Sequence, residues 1–587
     1  MTRAVVFAAI CVAAARGASA QADSTTRHER TAQDTAPKLL AVFPAPFPPG
    51  PLPRGSRYTF TADSFALSDT RTLSDLLAHV PGVYVARGGL YGQAEAVLFG
   101  GRGPAALEVY WDGAPYVPLG RDSVYLDPAR ISLVPLERVD VIVLPATLRV
   151  YLVTRRQQST APVTEVGITT GQRSTSGYRG AFLKRWRSGV GLSLAADWNA
   201  ITHLAGSSTT SFHDAELWLK AEYAPTSKFG VSAQIVSSDW NRDTSTSPLV
   251  EQHRSKRLDE MVRAFVAARR DGMGPRLDLT LATATVSRDS IVGERSLSQA
   301  ALELSTAGPR AAAAVVARWQ EQRSPLQVEA RASWTPIHPI TLSADARHAT
   351  YALNRRGDRA HVAAGIMFPF GFSAHGDAVW ARDLGAPART SDTLQQATDL
   401  SGGLRWDRSR VTLEVGSARR EAFSPVAGFA TGLRSVTDLA PTPATNYLMV
   451  HSALRLLPGL TLSGWYFDPV RNGGDYEPRR HGRYELSFYS KFWRVYKSGI
   501  FVLRAEAAAE SWSGGSMAGV SVDSTGAATD LVLSGTTFWD TNVQMQIAGL
   551  TIFWATRNAR AFRGTYVPGV DYPRNYQSYG VLWRFTN

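Results

Sequence analysis

The sequence predicts an all-β transmembrane barrel of about 22 antiparallel strands with a small N-terminal α+β domain, and three observations carry that prediction. From Val163 to Phe585 apolar and polar residues alternate in long segments separated by turn-rich breaks, with no other kind of element between them. No run reaches the roughly 18 apolar residues that a membrane-crossing helix needs. The chain also opens with an export segment.

Composition narrows the class further. The 587 residues are 44% hydrophobic and 19% charged with one cysteine, which excludes a disulfide scaffold and a disordered chain. A net charge of +13 invites a nucleic-acid reading, but the arginines recur singly from Arg54 to Arg584 instead of clustering, so no nucleic-acid partner is expected.

Residues 1–20 read as a signal peptide: Arg3, an apolar stretch from Val5 to Ala15, and the small-residue cleavage site Ala18-Ser19-Ala20. Its removal takes Cys11, the only cysteine, with it. Residues 21–57 read as a periplasmic tether, extended because proline recurs at 44, 46, 48, 49, 51 and 53.

Residues 58–156 form the α+β domain. Thr72 to Val80 has helical spacing of apolar residues, Asp75 near its start and Pro81-Gly82 as its stop. Strands follow at Ala96–Phe99, Leu107–Trp111 and Arg138–Leu144, and Asp112-Gly113 is a hairpin signal.

Residues 157–587 form the barrel. In Ala215 to Tyr223 one face is Ala215, Leu217, Leu219, Ala221 and Tyr223, the other Glu216, Trp218, Lys220 and Glu222. A soluble chain of this length would split into domains, whereas a closed ladder in lipid satisfies every backbone group. The longest breaks, Asn241–Arg257, Leu384–Ala397, Ser424–Thr445, Ser513–Ala527 and Arg560–Tyr576, are where a ligand-catching surface would be built.

The order of parts resembles a TonB-dependent receptor. Thr72–Val83 looks like that family's plug helix ending in Pro-Gly-Val, Gly101-Arg102-Gly103 like its Arg-Gly turn, and Val109–Pro115 like its hydrophobic run before Asp-Gly-x-Pro. Leu136–Val141 is similar to its Glu-Arg-Ile-Glu-Val strand. The resemblance implies that the α+β domain is a plug inside the lumen, with Pro81, Gly82, Arg102, Gly103, Asp112, Gly113, Glu137 and Arg138 holding its fold. Arg102, Glu137 and Arg138 are expected to pair with charges on the barrel wall. Arg87, Tyr91, Gln93, Tyr116 and Arg121 fall on the plug loops expected to face a ligand. The last strand, with Gly580, Trp583 and Phe585, resembles the signal read by the barrel assembly machinery, although Thr586 and Asn587 follow the final aromatic.

Two departures stand out. About ten residues of glycine-rich loop that the family carries after the Glu-Arg strand are missing between Val143 and Thr154. The only candidate for the segment that pairs with an energy-coupling partner by β-augmentation is Lys38, Leu39, Leu40, Ala41, Val42 and Phe43.

Motifs for nucleophilic, metal or phosphate chemistry are missing, and the eleven histidines are dispersed, so the reading is no enzyme, no metal and no cofactor. The expected function is uptake across the bacterial outer membrane of a scarce ligand, a siderophore-like compound, a cofactor or a saccharide, by a monomer embedded in outer-membrane lipid and coupled to a TonB-type protein. Alternatives are a non-energised barrel in a binding or structural role, and a passive channel.

Overall fold

The computed structural model describes residues 40–46, 50–66, 70–87, 92, 95–100, 102, 106–119, 126–202, 211–243, 252–270, 273–290, 293–385, 387, 392–424, 442–469, 478–492, 500–522, 528–560, 565–567, 570–571 and 575–586. The export segment, Lys38, Leu39, Tyr91, Gln93, Gly103 and Arg121 lie outside the described residues.

The N-terminal domain runs β1 (Arg57–Thr61), α1 (Ala62–Ala66), α2 (Leu73–Leu77), β2 (Tyr84–Arg87), β3 (Glu95–Leu98), β4 (Leu107–Trp111), β5 (Ala114–Pro115), β6 (Leu136–Leu144) and β7 (Thr147–Thr154). Five strands share one sheet in the order β1-β6-β7-β4-β5, with β4 and β7 parallel. Helix α2 starts where Asp75 accepts hydrogen bonds from the backbone N–H groups of Arg71 (3.1 Å) and Thr72 (3.3 Å). It is shorter than the spacing predicts, because beyond Ala78, still right-handed helical, the N–H groups of His79 and Val80 bond only three residues back before the chain turns at Gly82, whose φ is 81°. The Asp112-Gly113 hairpin forms as expected, with both residues at positive φ (44° and 93°).

After β7 the barrel begins at β8 (Val163–Gly171). Among the described residues 22 antiparallel strands close the ring, the last, Tyr576–Thr586, pairing with β8 from Ser578↔Gly171 to Thr586↔Val163. Alternation sorts the side chains: Leu217 and Leu219 face outward and are exposed, while Glu216, Trp218 and Lys220 face the lumen and are buried. The outward leucines, isoleucines and valines form the lipid-facing band of a membrane barrel, and exposed aromatics mark its rims, Phe229, Trp334, Phe372 and Trp583 at one and Tyr178, Trp319, Trp380 and Tyr579 toward the other. The barrel sits in the bacterial outer membrane.

Turns at one rim are mostly short, as at 368–371 and 458–459, with 491–500 an exception; the longest connections lie at the other, as at 243–252, 384–394, 421–444 and 558–575. Short turns mark the periplasmic side of such a barrel. The five breaks singled out from sequence all fall at long connections, those at 202–211 and 470–480 were not singled out, and the connection after Trp512 carries a hairpin of its own, Gly515–Val522 with Ala528–Leu533.

The α+β domain fills the lumen. Its core residues Leu76, Leu77, Val139, Val150 and Leu152 pack in one continuous cluster with Leu183, Trp218 and Val236 of the wall. Ion pairs tie the rest: Arg71 to Asp197 (3.1 Å), Arg557 to Asp75 (3.0 Å) and Arg155 to Glu165 (2.6 Å). Charges removed from water this way need partners, and alternating Arg and Asp/Glu on facing surfaces supply them.

Candidate functional site

A cavity of about 280 Å³ opens at the long-loop end, between the domain in the lumen and the wall. Its floor is β4, Pro115 of β5 with the Tyr116–Pro118 stretch after it, and the β6–β7 turn; its wall is the outer ends of the strands from Ala311–Gln320 to Gln395–Asp407.

Charge organises this site. Glu108 on β4 accepts from Arg359 (2.7 Å) and Arg149 (3.1 Å), with Arg347 at 3.5 Å. Burial alone would raise its carboxyl; the guanidiniums of Arg359, Arg149 and Arg347 outweigh that and hold it at about 2. Arg347 also pairs with Asp383, and Arg149 lies 3.5 Å from Asp345. Arg359 is only 6% exposed, yet among the described residues its Nε and Nη2 find no acceptor. Four guanidiniums (Arg102, Arg323, Arg347, Arg359) against three carboxylates (Glu108, Asp383, Asp399) line the cavity, one net positive charge.

Aromatic groups complete the lining. Tyr116 lies half-buried, its ring 3.8 Å from the Arg257 guanidinium and 6.0 Å from the Trp111 ring. Burial pushes the phenols of Tyr110 and Tyr116 well above their ordinary values, so both remain hydrogen-bond donors at neutral pH. Of the five plug-loop residues expected to face a ligand, Tyr116 is placed at the cavity. Arg87 ends β2, its side chain outside the description.

The remaining sequence-selected positions divide between wall contacts and internal staples. Arg102 reaches the wall as expected, 2.5 Å from Asp399 with its guanidinium 4.5 Å from the Phe423 ring. Glu137 and Arg138 do not: Glu137 accepts from Arg156 Nε at 2.8 Å, and Arg138 lies 2.9 Å from Asp140, two residues along the same face of β6. Asp112 accepts from the Thr154 N–H (3.0 Å) and hydroxyl (2.5 Å) and from Gln234 Nε2 (3.0 Å), with Lys220 at 3.5 Å. Burial would raise it; Lys220 and Thr154 prevail and hold it below the usual range. Buried Pro81 precedes Gly82, where an added Cβ would lie 3.1 Å from the Phe99 ring.

At the periplasmic rim the segment expected as a free tether packs against the barrel. Phe43 is 1% exposed, edge-on to Phe265 (5.0 Å between ring centres) with the Arg263 guanidinium 5.2 Å from its ring. The Leu40 N–H donates to Gln158 O and Arg263 donates to Pro44 O, both at 3.1 Å. Farther on, Arg54 lies 3.6 Å from Asp407. The seat of this segment along the inner wall was not legible in the sequence.

In the closing strand a Cβ on Gly580 would fall 2.3 Å from Ile168 O, so a side chain there collides with the seam. Trp583 faces outward and its ring lies 4.7 Å from that of Phe585.

The charged wall of the cavity was not singled out from sequence. Its signal was Arg347, Arg359 and Asp383, each sharing the inward face of its strand with a further titratable group at even spacing, Asp345, His361 and Asp377.

Residues 54–150 match the TonB-dependent receptor plug domain. No curated protein matches the sequence. The fold is similar to that of the siderophore receptor PirA from Acinetobacter baumannii (TM-score 0.69, 10% identity, covering 91% of this chain and 100% of that one). A variant of the ferric enterobactin receptor from Pseudomonas aeruginosa aligns at TM-score 0.67 and 12% identity, over 91% of this chain and 98% of the other. The FrpB iron transporter from Neisseria meningitidis aligns at 0.68 and 9%, over 91% and 100%.

Proposed function

We propose that this chain, which carries a TonB-dependent receptor plug inside a 22-strand barrel of the same architecture, is an energised outer-membrane uptake receptor for an anionic, siderophore-like ligand. The observation that carries the ligand class is Arg359: a nearly buried guanidinium on the outer cavity with two N–H-bearing nitrogens lacking an acceptor among the described residues. These nitrogens lie beneath the cavity surface, so an oxyanion of the ligand meets them when the Arg359 side chain swings into the cavity, and the protonated phenols of Tyr110 and Tyr116 add neutral donors. The names of the structural neighbours, receptors for siderophores and iron, support the same class.

Coupling is assigned to Lys38–Phe43, whose described part is docked at the periplasmic rim. Pulling on it from the periplasm would act on the plug through the chain from Pro44 to β1. The reading is tested by calorimetric titration of the purified protein with ferric catecholate and ferric hydroxamate complexes. Binding of the anionic catecholate complex in preference to the uncharged hydroxamate core is expected, weakened about 10- to 100-fold in Arg359→Ala, the range for losing a charge-assisted hydrogen bond. Equal affinity in Arg359→Ala would remove the cavity from the account.

A further inference from the structure

Two cavities meet at the tip of the β6–β7 hairpin. The outer one is the cavity just described; the inner one, of about 70 Å³, is lined by Gly55, Ser56 and Tyr58 at the entrance to β1, by Val143–Ala146, and by the wall. They follow the same two wall strands, Phe372–Asp383 and Gln395–Asp407. Val379 and Asp399 border the outer cavity, and one inward-facing position nearer the periplasm Asp377 and Ser401 border the inner one. Ala146 borders both.

What separates them is slight. The hairpin turns in two residues, Pro145 and Ala146, with Ala146 at φ 55°, where the glycine-rich loop is missing. Gly100 packs against the turn so closely that a Cβ there would lie 2.8 Å from Ala146 Cα. The wall opposite is built from small inward residues, Ser401, Gly416 and Ala418. Beside the tip stands the Arg102–Asp399 pair.

We propose that the two cavities are the ends of a single passage between plug and wall, constricted at Ala146 and latched by Arg102 to Asp399. It rests on the uptake reading for its purpose, and gives that reading a route along one side of the plug, without ejection of the whole domain.

The test is conductance of the full chain in planar bilayers in potassium chloride. The double variant Arg102→Ala, Ala146→Gly removes the latch and trims the constriction, and correct folding is checked by heat-modifiable migration. Its conductance is expected at least tenfold above that of the parent. In that background, with Cys11→Ser, a cysteine placed at Ser401 should let a cationic methanethiosulfonate block the current. One at Ser232, a buried inward position of the Phe229–Arg242 strand bordering neither cavity, should not. Ala146→Trp should lower any leak of the parent. Unchanged conductance in the double variant, or block that fails at Ser401 or is equal at Ser232, overturns the proposal. Ligand titration is a separate measurement, so a failed passage leaves the uptake reading standing.

Discussion

Glu108 shows how one side chain sets the chemistry of the cavity. Three guanidiniums converge on it, and its depressed carboxyl means that the native state holds it ionised. A carboxyl lowered from its ordinary value, about 4.3, adds stability that is complete above that value and lost as the pH falls toward 2. Glu108→Gln leaves those guanidiniums facing one another, and should cost about 3–5 kcal/mol at pH 7, the range for removing one partner of a buried pair. Protease resistance of the plug at pH 7 measures this, and unaltered resistance would contradict it. Asp127 behaves in the opposite sense. Burial raises it to about 6 even though its Oδ1 accepts from the N–H groups of Glu95 and Ala129. The folded state therefore binds a proton that the unfolded chain releases near pH 4, and the plug loses stability, on the order of 3 kcal/mol, as the pH rises through 4 to 6. An Asn amide oxygen can keep both backbone bonds, so Asp127→Asn should flatten that pH dependence in hydrogen exchange of the Glu95 amide. A slope unchanged by the substitution would rule the Asp127 carboxyl out as its source.

At the scale of elements, the closing strand and the docked tether make the sharpest demands. Gly580 sits where the last strand crosses β8 and no side chain fits, so Gly580→Val should prevent assembly. The readout is loss of the heat-modifiable band, and normal assembly would refute the seam argument. Phe43 is held by an aromatic contact and a guanidinium, and truncating a buried phenylalanine costs about 3–5 kcal/mol. Phe43→Ala should free the segment, seen as faster proteolysis before β1 with the barrel intact. Elements were also where the sequence was most readable. Period-two alternation exposed the strands because their two faces meet lipid and a polar lumen, and Thr72, Asp75 and Gly82 bracketed the helix because capping and turning are local events.

Across the whole molecule, what was not legible is what depends on the register of a closed ring. Glu108 and Arg359 meet across 251 residues, and no spacing near either announces the other. Arg138, by contrast, was expected at the wall and found a nearer acid on its own strand. The seat of the tether was hidden for the same reason, since Phe265 belongs to a distant strand that only barrel closure brings beneath Phe43. These long-range contacts make a chain in which the outer cavity, the plug and the segment before β1 are joined through packed side chains. An energised receptor needs that continuity and a passive barrel does not. The measurement that decides between them is binding of the full-length protein to the periplasmic domain of the host's energy-coupling protein, compared with a chain lacking Lys38–Phe43 and with Phe43→Ala. The account predicts binding that disappears with the deletion and strengthens when Phe43 is truncated. Binding by none of the three, or equally by all, would contradict it.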